Sequence, residues 1–378
     1  MIKKFNVKKI RMLNIANRIL SAVYSKPSAE ELVNFNQVKN ILIIDFSLIG
    51  DMIMNIPFLE NIKKNCPKAK ITMVCMPWAE VVLGDQNLID NFIVFDGKNI
   101  LSNPLHIITH FKAIKRSLKE INKIKYDFGI EPKGDLRHIL FLHYTNCRRT
   151  ATYNYTGGEY LVTDCFQPLA NVTHLIDEKN ELLKMLGFKI EGYGCPELKL
   201  TMEWKEYADR FKEENDLIGY TLIGIHPGAS CVNKQYPSYP ELVSRIRGLN
   251  IKFLIFEGAN EKEIVDKVCV ALDEKEYVRI KKSLKEYISL VSLCDYMVCN
   301  DSAAGHIAAA YGISETVIFG PVLPENALPR GTGKIQFVSH KLNCKPCTLP
   351  TCPYGSNECI GEIKVNEILA TLREANVL

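Results

Sequence analysis

No run of roughly eighteen uninterrupted apolar residues occurs in the 378-residue chain, so it offers no segment suited to crossing a bilayer as a helix. Its first residues lack an apolar stretch followed by a small-residue cleavage site, and secretion is not expected. The pattern G-x-G-x-x-G is missing: "GYG" at Gly192 and "GTG" at Gly331 have no third glycine and no strand in front. Dinucleotide redox chemistry is therefore without support. Neither a Walker A sequence nor an Asp-x-Asp pair is present, which leaves a metal-bridged phosphate without evident ligands. His226 and His306 each stand without a second histidine at ligand spacing. Excess charge is small as well, because a formal net charge of +4 is too mild to argue for nucleic acid.

The residues present fit a globular protein, 47% hydrophobic and 24% charged, and the length suits two domains. Thirteen cysteines, an odd number spread through the chain, fit reduced cytosolic thiols better than a disulfide framework. Residues 1–28 hold Lys3, Lys4, Lys8, Lys9, Arg11, Arg18 and Lys26 and no acid. Met12, Leu13, Ala16, Ile19, Leu20 and Val23 recur there at helical spacing opposite Lys8, Arg11 and Arg18. Such a basic amphipathic helix either lies on an anionic membrane surface or packs its apolar face on the first domain.

Short apolar runs alternate with longer amphipathic stretches along the rest of the chain. In the first half strands fit 41–44, 71–75, 92–95 and 128–130, and helices fit 53–65, 108–124 and 173–186. After a polar stretch at 203–216 the pattern restarts. Strands then fit 222–225, 253–256, 296–299 and 316–319, and helices 240–249, 262–272 and 305–311. Alternation of this kind predicts parallel sheets covered by helices, here two Rossmann-like domains with a cleft between them. The expected division is a basic N-terminal helix region at 1–38, one domain at 39–200, a second at 201–343, and a Cys-rich loop with a C-terminal helix at 344–378. Ligands bind at the carboxyl ends of such strands, which directs attention to the loops after Ile44, Ile225, Phe256 and Cys299.

Four segments hold candidate chemistry. "FSLIGDMIMN" places Ser47, Gly50 and Asp51 in a turn between a buried strand and an amphipathic helix. "IGIHPGAS" runs a strand into a Pro-Gly turn whose open N–H groups, with Ser230, can cradle phosphate, and Lys234 follows. A plain strand-end turn with a solvated lysine is the ordinary alternative. "CNDSAAGHIAAAYG" sets Asp301 and Ser302, both natural caps, before an Ala-rich helix with Ala303, Gly305 and His306 in its first turns. A bare helix N-terminus there is an anion site, against the alternative of a capping Asp and a structural His. "FEGANEKE" supplies Glu261, with Glu263 as a neighbouring candidate, to accept hydrogen bonds from sugar hydroxyls.

Taken in order, "SLIGDMIMNIPFL", "IHPGAS…K…YP", "NDSAAGHIAAAYG" and "IFGPVLPENALPRG" resemble glycosyltransferase family 9, the family of the ADP-heptose:lipopolysaccharide heptosyltransferases. The resemblance implies a metal-independent, inverting enzyme of α/β GT-B fold, with an acceptor domain followed by a nucleotide-sugar domain. It further implies that Asp51 is the catalytic base and that Lys234 binds the donor. Asp301, Ser302, Ala303 and His306 match the family's Asp-Thr-Gly-x-x-His motif, with Ala303 replacing the usual Gly, and Glu261 its donor-side Glu. Family members often carry a basic residue where Asp45 stands and a Ser where Leu48 stands. An acid at position 45 weighs against a strongly anionic acceptor.

On this reading Asp51 takes a proton from the acceptor hydroxyl, while Lys234 and the helix N-terminus receive the leaving diphosphate. Domain closure then excludes water. No cofactor is required beyond the nucleotide sugar, with ADP-heptose expected, and the acceptor is a lipid-linked or other glycan. The expected location is cytoplasmic, with attachment to the inner face of the membrane through residues 1–26 as the surface reading. A sugar-nucleotide epimerase or hydrolase on the same fold, or a non-catalytic nucleotide-sugar binder, are the alternatives. In the tail, Cys344, Cys347, Cys352 and Cys359 form a C-x2-C-x4-C-x6-C run that can hold a structural zinc, with free thiols or a disulfide as alternatives.

Overall fold

The computed structural model describes residues 7–28, 35–95, 107–246, 248, 250–347 and 349–378. The expected helix end at Leu249, and Lys3 and Lys4 of the basic segment, lie outside these residues. The chain divides into two compact units, Met1–Gly194 and Cys195–Leu378.

The first unit is a six-stranded sheet of β1 (Asn40–Asp45), β2 (Lys70–Cys75), β3 (Asn91–Val94), β4 (Tyr126–Glu131), β5 (Cys147–Tyr153) and β6 (Asp164–Phe166). Its spatial order is β3-β2-β1-β4-β5-β6, and every described pairing is parallel. The second unit repeats the plan with β7 (Thr221–His226), β8 (Ile251–Phe256), β9 (Tyr277–Ile280), β10 (Tyr296–Asn300), β11 (Ser314–Phe319) and β12 (Ile335–Ser339). The order there is β12-β11-β10-β7-β8-β9, again all parallel. Both sheets are thus doubly wound α/β, and each reverses direction once, between β1 and β4 and between β7 and β10. A crevice opens where strand order reverses, at the carboxyl ends.

Central strands form because their runs are apolar throughout and are covered on both faces. In β1, Ile41, Leu42, Ile43 and Ile44 are fully buried, as are Met297, Val298 and Cys299 of β10. The stretch at 203–216, expected as a polar boundary, is instead a helix, Met202–Glu214, started by Thr201, whose side chain accepts the Trp204 N–H. Ala208 and Phe211 alone of that helix are buried, so its apolar stripe is thin and its sequence looks like a linker.

Candidate active site

In the first unit the candidate residues gather at the β1–β4 reversal. The strand ends on Asp45, the backbone turns at Phe46–Leu48, and a short helix, Ile49–Ile53, begins. Gly50 and Asp51 therefore lie in the first turn of a helix, and the tight turn expected at Gly50 falls before it. Asp51 is half-buried, with Oδ2 accepting the Leu48 N–H at 3.2 Å. Ser47 is buried; its carbonyl accepts the Trp78 indole N–H at 2.8 Å and its Oγ accepts from Lys133 Nζ at 3.3 Å.

Asp45 is turned into its own unit. It is 1% exposed, Oδ1 accepts the Ser47 N–H at 2.9 Å, and Oδ2 accepts Asn55 Nδ2 at 2.9 Å. Lys179 Nζ stands 3.9 Å from Oδ2. Burial alone would push this carboxyl up, but the Lys179 and Lys133 charges and the two hydrogen bonds outweigh it, and the group is held below its usual range. The negative charge at position 45 is consumed inside the unit, so it gives no reason to exclude an anionic acceptor. Lys179, from the helix Leu175–Met185, also donates to Asn55 Oδ1 at 2.5 Å and to the Asp51 carbonyl at 3.3 Å. One buried lysine thereby ties the strand end, the Asn55 cap and the Asp51 turn together. Reading along the sequence misses Lys179 altogether, because its partners come from an element some 130 residues earlier.

The loop after β4 closes the other side of this reversal. Glu131 is fully buried and accepts from the Gly134 N–H at 2.6 Å and Thr152 Oγ1 at 2.8 Å. Asp135 caps the helix Leu136–His143 and receives Arg137 and Lys9. Burial pushes its carboxyl up, but the Arg137 hydrogen bond and the His138, Arg137 and Lys9 charges dominate and hold it well below the usual range.

In the second unit the candidates gather at the β7–β10 reversal. Ser302 precedes the helix Ala303–Ala310 in extended conformation, and its hydroxyl makes no cap hydrogen bond. Its Oγ is buried without a hydrogen-bond partner among the described residues. A buried hydroxyl in that condition costs about 1–3 kcal/mol unless something binds it. Lys234 Nζ lies 2.6 Å from Asp301 Oδ2, which places its ammonium beside that helix start. The helix packs close to the sheet, as its alanines suggest: a Cβ at Gly305 would lie 3.1 Å from Cys299 Sγ and 3.2 Å from Glu315 Oε2. Glu315 is fully buried, and burial raises its carboxyl well above the usual range. His306 is buried and Ser230 exposed.

Glu261 is turned into the same locus. Its Oε2 accepts the Gly258 N–H at 2.7 Å, and a Cβ on Gly228 would sit 1.9 Å from its Cδ. Glycine at position 228 is thus a matter of space. Burial, more than the neighbouring Glu257 charge, pushes the Glu261 carboxyl up against the Gly258 hydrogen bond. Glu263 pairs with Lys267 at 3.0 Å on the exposed helix face and takes no part. His226 Nε2 is 3.7 Å from Glu261 Oε2 and Nδ1 is 3.0 Å from the Tyr287 hydroxyl. Burial lowers this imidazole to about 4, so it is neutral near pH 7. Asn300, which the sequence reading passes over within its own quoted motif, fixes the loop. Its Nδ2 donates to the carbonyls of Pro227 at 2.7 Å and Gly228 at 3.1 Å, and its Oδ1 accepts the Tyr236 N–H.

The four C-terminal cysteines lie near one another, since the Cys344, Cys352 and Cys347 thiols all act on the Cys359 thiol. Cys344 is exposed and Cys359 buried, and among the described residues no group of three or more His, Cys, Asp or Glu is arranged to hold an ion. The zinc expectation therefore finds no ligand set in this arrangement. A cavity of about 540 Å³ lined by Leu323, Phe337, His340 and Lys345 lies at the end of β12 and contains none of the candidate residues.

Two doubly wound sheets, one with an acid at its reversal and the other with an uncapped helix N-terminus and a lysine, follow the plan of the GT-B glycosyltransferases. The sequence model of glycosyltransferase family 9 (heptosyltransferase) matches residues 113–357. A Campylobacter jejuni lipooligosaccharide heptosyltransferase 2 is 25% identical over 335 residues, covering 85% of this chain and 93% of the relative. The structure of Escherichia coli ADP-heptose lps heptosyltransferase II superposes with a TM-score of 0.72 at 17% identity, over 89% of this chain and 98% of that one. An Escherichia coli heptosyltransferase bound to ADP gives 0.66 at 14%, over 89% and 99%. The chain belongs to glycosyltransferase family 9 and is a glycosyltransferase.

Proposed function

We propose that the enzyme transfers heptose from ADP-heptose to a lipopolysaccharide-type glycan acceptor, inverting the anomeric centre, with Asp51 as general base. The observation that carries the reading is the coincidence of each candidate group with a strand-order reversal, in a chain whose curated relatives are named as heptosyltransferases. At the first reversal, the carboxylate of Asp51 accepts the proton of the acceptor hydroxyl as its oxygen attacks the anomeric carbon. The bond to the diphosphate breaks in the same displacement, so one step inverts the centre and no covalent intermediate forms. Asp51 also stands to favour the positive charge that builds on the sugar ring. At the second reversal, the N-terminus of the Ala303–Ala310 helix, which no side chain caps, the uncommitted Ser302 hydroxyl and Lys234 receive the departing diphosphate. Glu261, held by Gly258, accepts hydrogen bonds from donor hydroxyls. No metal enters this scheme. The acceptor is a lipid-linked glycan reached from the cytoplasmic face of a membrane.

The test is incubation of purified enzyme with ADP-heptose, with and without a truncated lipopolysaccharide core, following ADP release and product mass. Acceptor-dependent ADP release with a product heavier by one heptose supports the reading. Donor consumption without acceptor would instead indicate a hydrolase or epimerase, and binding without turnover a nucleotide-sugar carrier.

A further inference from the structure

The N-terminal helix, Val7–Ser21, leaves an apolar surface that the fold does not use. Leu13 is buried and joins Leu136, Ile139 and Leu161 in the core of the first unit, with Ala16 and Leu20 packed beside it. Met12, Ile15 and Ile19 are each 63% exposed and Val23, just past the helix, 74%. At about 100° per residue the three helical positions, Met12, Ile15 and Ile19, fall within an arc of roughly 60°, and Val23 follows in the turn after the helix. The single apolar face expected from the sequence is therefore two faces, one in the core and one outward. Arg11 and Arg18 are exposed one turn before and one turn after Ile15, along the border of the outward stripe.

The helix is bound firmly to its unit. Lys9 Nζ lies 3.1 Å from Asp135 Oδ2, and Asn17 Oδ1 accepts the Gly158 N–H at 2.9 Å and the Tyr160 hydroxyl at 3.0 Å. A Cβ on Gly157 would meet Asn17 Cγ at 2.2 Å, so the helix settles directly on the Gly157–Gly158 turn, where φ is +90° and +95°. Asp135 and Gly158 belong to the loops after β4 and β5, and the β4 loop reaches the Asp51 turn through Lys133 and Ser47.

We propose that this helix docks on an anionic lipid bilayer, laying Met12, Ile15, Ile19 and Val23 among the acyl chains with Arg11 and Arg18 at the headgroups. Charge selects this occupant. Residues 1–28 contain seven basic side chains and no acid, so a second copy would bring like charges together, whereas an anionic surface neutralises them. Because the helix is fixed to the β4 and β5 loops, docking holds the Asp51 edge of the first sheet near the membrane. That consequence rests on the lipid-linked acceptor proposed above; the docking itself does not.

The experiment is co-sedimentation of the full chain with phosphatidylethanolamine vesicles containing phosphatidylglycerol, against phosphatidylcholine vesicles, over a salt series. Binding to the anionic vesicles that weakens with salt is expected. The double variant Ile15→Ser/Ile19→Ser should keep its melting temperature, since both side chains are exposed, and bind on the order of tenfold more weakly per isoleucine removed. Arg11→Gln/Arg18→Gln should lose the preference for anionic lipid. Absence of sedimentation by folded, ADP-binding protein overturns the proposal, as does undiminished binding of the isoleucine variant. A dimer in sedimentation velocity that the isoleucine variant abolishes would assign the stripe to a second copy and overturn it too. Vesicle binding needs neither donor nor acceptor, so failure of the transferase reading leaves these outcomes intact.

Discussion

Replacing Lys179 by methionine removes the charge that faces Asp45 and leaves a carboxylate 1% exposed, with the Ser47 and Asn55 hydrogen bonds still in place. Breaking a buried pair from one side costs about 3–5 kcal/mol, and the two surviving hydrogen bonds argue for the lower end, about 3 kcal/mol. For a unit of this size that corresponds to a fall in melting temperature of roughly 6–12 °C. The pH dependence supplies the sign. In the native protein the Asp45 carboxyl is held below its usual range, so its contribution is present above that range and lost as pH falls through the lowered value. Without Lys179, burial dominates and the carboxyl rises, so acidification from neutral pH protonates the group and narrows the gap between variant and native protein. The double variant Asp45→Asn/Lys179→Met should recover much of the loss, because Asn55 can turn its amide to meet the new one. Scanning calorimetry at two pH values checks all three outcomes. A Lys179→Met protein within 2 °C of native, by the same ~2–4 °C per kcal/mol conversion, would refute the reasoning. A gap insensitive to pH would refute it as well.

Other perturbations test the second unit. Gly228→Ala places a methyl on the Glu261 carboxylate and should lower the melting temperature, while adding Glu261→Ala opens the space and should recover it; thermal melts of the two variants check both outcomes. Lys234→Met should weaken ADP by roughly ten- to hundredfold, the usual worth of a hydrogen bond to a charged group; an unchanged affinity would remove this lysine from the diphosphate site. His226 is neutral when folded, with its titration lowered from 6.5 to about 4, so folding opposes protonation. Stability should drop by about 2 kcal/mol between pH 7 and pH 5, and His226→Gln should lose that fraction of the acid sensitivity in thermal melts.

The central strands and both candidate loci are legible in the sequence because the physics there is local. A strand buried on both faces must be continuously apolar, as "ILII" and "LIGI" are, and a strand-to-helix turn shows its small and capping residues in order. Edge strand β3 is legible at 92–95, but the other edge and near-edge strands β5, β6, β9 and β12 are not. "CRRTATY" of β5 reads as polar because Arg149 is satisfied by a bidentate pair with Asp164 of β6, a partner visible once the sheet forms. β9 and β12 are half-exposed and short, so their alternation is too brief to separate from a loop. Lys179 and Asn300 are harder still. Each is an ordinary polar residue whose role comes from an element distant in sequence, Asp45 in one case and the Pro227–Gly228 carbonyls in the other. Asp45 itself was visible, but its meaning depended on that unseen lysine. The same limit applies to the N-terminal helix, where spacing groups Met12, Leu13, Ile19 and Leu20 on one side and packing separates them.

The most direct measurement of the catalytic assignment is single-turnover transfer by Asp51→Asn, with ADP affinity determined on the same preparation. Asp51 belongs to the reversal of the first sheet and the donor candidates to that of the second, and its Oδ2 receives the Leu48 N–H, which an amide oxygen can accept equally. The variant should therefore fold and bind ADP as the native enzyme does, while transfer falls by about 10²–10⁴-fold, the span a general base contributes. Transfer within a few-fold of native, at unchanged ADP affinity, would contradict the account.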